Sequence, residues 1–298
     1  MNTEKDMTLE SLEKVYFEHL DRFSLAIEHV MAVSELGKNA PTNCDRQLWC
    51  KILYSRMIMV GVSLLLASPY SKLNSVPVQW DACTVATLAR TIYEIYLSLE
   101  YFCFEVVEPN EWQARIDLMY LHDRTARLQG IQHLQHDSEM SDCRAQLETE
   151  IDNIVLKLEE NTFFQTLSEK QQKKFLKGKH HLLLSQDEIV GRAQGDVKLL
   201  RSAYEKLSSE THTLPITFTQ VMFEGNSLGV KNDSNMRTAT LSHILARRCF
   251  AVSIHKYIAV LGGFCEIEKV APFQLENLKL NAEVSHKIQR NTPKSPTN

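Results

Sequence analysis

Glycine and proline are scarce, at 10 and 8 residues in a chain of 298. Few points therefore exist where a helical pattern must break. Strict alternation of apolar and polar residues over strand lengths is nearly absent, which argues against a sheet. No apolar run reaches the ~20 residues that a bilayer-spanning helix needs. The greasiest stretch, Met57 to Ala67, follows Arg56 and precedes Pro69. It predicts a helix at the centre of a bundle, and no membrane association. The N-terminus Met-Asn-Thr-Glu-Lys-Asp is polar and lacks a signal core. Walker loops, dinucleotide glycine fingerprints and Gly-x-Ser-x-Gly elbows are missing, so nucleotide-driven chemistry and serine hydrolysis have no sequence support. The cysteines number seven and form no C-x-x-C. Neither a disulfide framework nor a zinc knuckle is expected, and a reducing cytoplasm is the expected compartment. A net charge of -4 does not advertise nucleic-acid or membrane binding.

What remains is helical periodicity. Val15, Leu20, Phe23, Ile27 and Met31 predict a helix from about Leu9 to Leu36, stopped at Gly37. Asn43 or Asp45 can cap a second, ending near Ala67. Asp81 opens a third, expected to reach Val107, and Pro109 starts a fourth. A fifth spans about Ser141 to Leu158. Asp196 can cap one that ends near Thr211, and a last long helix covers about Met236 to Leu261. Between residues 161 and 192 two capping boxes, Ser168 to Gln171 and Ser185 to Glu188, mark short helices in a lysine-rich arm. The fold class expected is all-α, a bundle of six or seven main helices with a mobile arm. One domain is expected over 1–265, followed by a loosely docked or disordered tail over 266–298.

Polar groups interrupt two of the apolar helices. Arg90 and Glu94 are four apart and share a face. Arg201, Tyr204, Ser208 and His212 step by three, four and four, and share another. Burying such groups costs free energy unless they pair, so the two segments are expected to meet. The candidate network is Arg90, Glu94, Tyr204, Ser208 and His212. Two roles stay open for it. A satisfied network rigidifies a bundle; the same groups could instead bind a ligand or do chemistry.

The segment Arg90-Thr-x-x-Glu94 and the segment Tyr204-x-x-Leu-Ser208-x-x-Thr-His212-x-x-Pro215 resemble the signatures of uncharacterised bacterial all-helical proteins, grouped as domain of unknown function 5677. The resemblance covers roughly residues 40 to 265. It implies a helical fold and a bacterial source, and supplies no reaction. A more distant similarity is to the HEPN superfamily, helical bundles that include metal-independent ribonucleases and toxins. Their motif is an Arg and a His separated by four to six residues. Of the matching pairs here, Arg237 and His243 are favoured, because they open the last long helix.

Other chemistries are poorly supplied. His133 and His136 are three apart but lack further ligands nearby, so no metal and no cofactor are expected. Lys170, Lys173, Lys174 and Lys177 form the best basic cluster. They could hold phosphates electrostatically, with Phe163, Phe164 and Phe175 either stacking on bases or docking the arm. The expectation is a cytoplasmic binding protein with an unknown protein or RNA partner, able to form a homodimer and linked to defence or stress. The alternative is a HEPN-like metal-independent ribonuclease or toxin.

Overall fold

The computed structural model describes residues 8–73, 79–132, 138–211 and 229–262. Among these the chain is all-α. Extended pairing is confined to one bridge, in which Trp80 N donates to Gly229 O at 3.1 Å. Seven long helices carry the fold: α1 (Leu9–Gly37), α2 (Asp45–Ala67), α3 (Ala82–Leu99), α4 (Pro109–Gln132), α5 (Ser138–Glu160), α9 (Val197–Thr211) and α10 (Asp233–Val260). Three short ones lie between: α6 (Thr162–Gln165), α7 (Glu169–Phe175) and α8 (Gln186–Arg192). The sequence pattern predicts one bundle over 1–265. By contacts the chain gathers into two compact units, Met1–Phe104 with Gly195–Asn298, and Glu105–Gln194. The predicted tail over 266–298 lies outside the described residues.

In the first unit α10 is the central helix, packed against α1 and α3. Asn232 caps it by accepting from Asn235 N. Helix α1 buries Leu12, Tyr16, Leu20, Phe23, Ile27 and Val30, a run of three- and four-residue steps that makes one apolar stripe. Helix α2 crosses α1 and α10 closely at Gly61. A Cβ there would lie 2.6 Å from both Ile27 Cδ1 and Phe250 Cζ.

Helix α3 ends eight residues before the expected Val107. It widens at Glu100 into a π turn, Glu100–Phe104, all of it buried. Arg46 secures that end: its Nε donates to Cys103 O at 2.6 Å and its Nη2 to Phe104 O at 3.1 Å. The terminal carbonyls are thereby satisfied by a side chain from α2.

Helix α2 departs from its expected place at the bundle centre. Its inner face, with Tyr54, Met57, Leu64 and Leu65, is buried. Its outer face is open to solvent. Being apolar on both sides, α2 is the one helix among the described residues long and apolar enough to cross a membrane by length and composition. Only 39% of its most apolar window is buried.

In the second unit α4 packs on α5. The segment after α5 folds onto them through Phe164 and Phe175, which join Ala114, Leu118, Leu121 and Leu158 in one core. The phenylalanines thus dock this segment. Both expected capping boxes are formed, at Ser168 and at Ser185. Gly178 adopts φ +66°, and a Cβ there would lie 2.2 Å from Thr125 Oγ1. Glycine is what lets the turn after α7 lie against α4.

Candidate functional site

The two signature segments do meet. Helix α9 packs along α3, and Arg90 Nε donates to Glu94 Oε1 at 3.0 Å. Tyr204 on α9 donates its hydroxyl to the same oxygen at 3.2 Å. The Arg90 guanidinium lies over the Tyr204 ring, 5.3 Å from its centroid. Tyr93 packs on Tyr204 with ring centroids 5.4 Å apart. One carboxylate oxygen therefore gathers a cation and a phenol from two helices. Burial pulls the Arg90 pKa down, but Glu94 and Tyr204 outweigh it and the net shift is upward.

Further along the seam, the Thr87 and Thr211 hydroxyls lie 3.4 Å apart. Ser208 is half-buried one turn beyond Tyr204. Arg201 faces outward and pairs with Glu205 at 3.0 Å. His212 lies outside the described residues.

This seam is not the dry interior that the sequence pattern suggests. The Glu94 side chain is 43% exposed and that of Arg90 22%. The reason is position: α1, α10 and the inner face of α2 fill the core, while α9 packs along α3. The α3 positions that turn inward are Ile92, Ile95, Tyr96 and Leu99. Screening by water leaves such an ion pair worth about 1 kcal/mol or less.

Arg237 and His243 do not converge. Arg237 is exposed and lies 3.8 Å from Asp233. His243 is 1% exposed, stacked on Phe23 at 5.3 Å and tilted against Tyr16 at 5.6 Å. Ser68 Oγ donates to Leu64 O at 2.7 Å. Its oxygen is left to accept from His243 Nε2, 2.8 Å away. The ring is thus the Nε2–H tautomer, and its buried Nδ1 has no partner. Burial, with smaller contributions from His19 and Arg247, lowers the His243 pKa to about 3. A neutral, walled-in imidazole cannot exchange protons with a substrate at neutral pH.

Two polar clusters were not anticipated. Glu100 is buried, and Lys256 Nζ reaches both of its carboxylate oxygens at 2.7 Å. Burial and the neighbouring Glu100 push the Tyr96 phenol upward. The signal available was a lone carboxylate inside the apolar run Leu97 to Phe104. In the second unit, fully buried Arg115 pairs with Glu105 at 2.7 Å and with Glu111. Arg192 also reaches Glu105, at 3.0 Å. Spacing gives access to Glu111 and Arg115, which are four apart, but not to Glu105 and Arg192, which are 87 residues apart.

Lys170, Lys173, Lys174 and Lys177 are all exposed. Lys173 lies 3.5 Å from Glu169, and Lys174 sits 5.5 Å from the Phe175 ring centroid. Among the described residues no group of three or more His, Cys, Asp or Glu is placed to hold a metal ion. His133 and His136 lie outside those residues.

No curated protein and no solved structure matches the chain. A family model does match, over residues 72–228, just over half of the chain. The match takes in both signature segments and the α3–α9 seam between them. The chain belongs to this family, described as "Family of unknown function (DUF5677)".

Proposed function

We propose that this chain is a helical interaction protein that docks a partner on the outer face of α2, in a defence or stress setting. One observation carries the proposal. Leu48, Ile52, Met59 and Leu66 are 47%, 51%, 71% and 46% exposed and lie along one side of one helix. Exposed large apolar residues gathered on one face of a helix, here with Ser55 between Ile52 and Met59, mark an interaction site. The Arg90–Glu94–Tyr204 seam then serves as a clasp that seats α9 on α3. A ribonuclease role for Arg237 and His243 has no geometric support, since the first faces solvent and the second the core. An RNA partner would meet the exposed lysines of α7 and its C-terminal turn.

The test has two parts. An environment-sensitive apolar dye should bind the native protein, and the double variant Ile52→Glu, Met59→Lys should lose that binding. The same variant should keep its unfolding free energy within about 1 kcal/mol, as surface changes do. Single-stranded RNA incubated with the protein in a chelator should stay intact. Metal-independent cleavage that His243→Ala or His212→Ala abolishes at unchanged melting temperature would overturn the proposal. So would a core-sized stability loss in the double variant.

A further inference from the structure

The second unit holds a pair of imidazoles that the docking face of α2 does not use. His122 comes from α4, and His181 from the chain that follows α7. Their ring centroids lie 5.1 Å apart, with the planes tilted by 37°. His180 is turned another way and meets the Phe175 ring edge-on, at 6.1 Å and 86°. The pair is thus His122 with His181, brought together where Gly178 lies against Thr125.

One hydrogen bond fixes what each nitrogen of His122 can do. Its Nδ1 is 2.9 Å from Gly178 O. A carbonyl only accepts, so Nδ1 carries the proton. In the neutral ring Nε2 then keeps its lone pair. This is the arrangement of a metal-ligating histidine, whose second nitrogen donates to a carbonyl that sets tautomer and orientation. The separation of the rings fits as well. At a Zn–N distance of about 2.0–2.1 Å and a tetrahedral angle, two imidazole centroids on one ion lie about 5 Å apart. Burial, and then the neighbouring His122 and His180, push the His181 pKa below its ordinary value. That ring is therefore neutral at pH 7, the form that binds metal.

We infer that His122 and His181 hold one divalent transition-metal ion of the zinc class, with water completing the tetrahedron. Neutral imidazole suits Zn²⁺, Cu²⁺ and Ni²⁺, whereas Mg²⁺ and Ca²⁺ take oxygen ligands. His122 is half-buried and His181 keeps a side open to solvent. Solvent thus supplies both the entry path and the remaining ligands. Asp123, the carboxylate next to His122 in the chain, is engaged by Arg124 and Arg127.

Two protein ligands are half the set of a structural zinc site. Half the binding free energy of such a site corresponds to a Kd on the order of 10 μM. Exposed Lys177 and Lys179 repel a cation and keep the affinity from rising further. An ion held this weakly does not make the fold. It fastens it, because one ligand belongs to α4 and the other to the segment docked on α4. Binding to the folded unit alone resists their separation.

The experiment uses the full chain without a histidine tag, with exposed Cys44 and Cys143 replaced by serine. Calorimetric titration with zinc chloride should show one ion bound per chain, with a Kd on the order of 10 μM. Magnesium chloride should give no heat of binding. His181→Ala, at an open position, should keep the fold and weaken zinc binding roughly tenfold or more. His122→Ala should weaken it equally, and His180→Ala should leave it intact. Zinc should raise the melting temperature of the parent and of His180→Ala, and leave that of His181→Ala unchanged. Zinc binding that survives His181→Ala would place the ion elsewhere and overturn the inference. So would an absence of binding up to about 1 mM zinc. Equal weakening by His180→Ala and His181→Ala would overturn the choice of ligands.

Discussion

At His243 a single imidazole shows how burial sets chemistry. It sits between Phe23 and Tyr16, gives its one proton to Ser68, and is held neutral down to about pH 3. In the unfolded chain the same ring takes a proton near its ordinary value of about 6.5. Between those two values the unfolded chain binds more protons, so stability rises with pH. The contribution is complete above the unfolded value and is lost as the pH falls toward the folded one, at about 1.4 kcal/mol per pH unit. His181 and His255 are shifted in the same direction, chiefly by burial. Denaturant melts across this acid range should therefore show falling stability, and His243→Leu should flatten the slope. An unchanged slope would mean that the ring is solvated. Glu94 offers the contrast. Its carboxylate is 43% exposed, so Glu94→Gln should cost about 1 kcal/mol. A fully buried pair losing one member costs ~3–5 kcal/mol, and a loss of that size would show that the seam is closed to water.

Elements were readable in proportion to how locally they are determined. The boundaries of α1 and both capping boxes follow from neighbours within four residues; α2 starts close to its expected place, but its N-cap is Cys44, which makes no side-chain capping bond, and neither Asn43 nor Asp45 caps it. The end of α3 does not. Its π turn is stabilised by Arg46, 57 residues away, and no local spacing announces it. The site was legible in the same partial way. Periodicity aligned Arg90 with Glu94, and the demand for partners brought Tyr204 to them. The exposure of the seam depends on which helices fill the core, and the apolar residues of α2 do not say which of its two greasy faces turns inward. The turn after α7 gives an element-level test. Gly178→Ala adds a Cβ that meets Thr125 at a residue already in the left-handed region. The His122 Nδ1 contact with Gly178 O, 2.9 Å, should loosen with it. Faster amide exchange in α6 and α7 is the expected outcome, with a stability loss of about 1–3 kcal/mol. Unchanged exchange would show that the turn can lift from α4 freely.

For the whole molecule, the family match and the architecture cut the chain differently. Residues 72–228 include α3, the entire second unit and α9, but leave out α1, α2 and α10. The helices that complete the first unit, and the outward face of α2, thus belong to parts of this chain beyond the matched region. The order of the units along the chain also matters. Glu105–Gln194 is continuous, whereas the other unit is assembled from stretches on either side of it. On the ribosome, α1, α2 and α3 emerge first, but the helix they surround is the last of the described helices to be translated. Their greasy inner surfaces must wait, unclosed, through the synthesis of the residues from Glu100 to Val260 at roughly 5–20 residues per second. The inserted unit can finish folding in that interval, while the earlier helices stay exposed to aggregation and to chaperones until α10 leaves the exit tunnel.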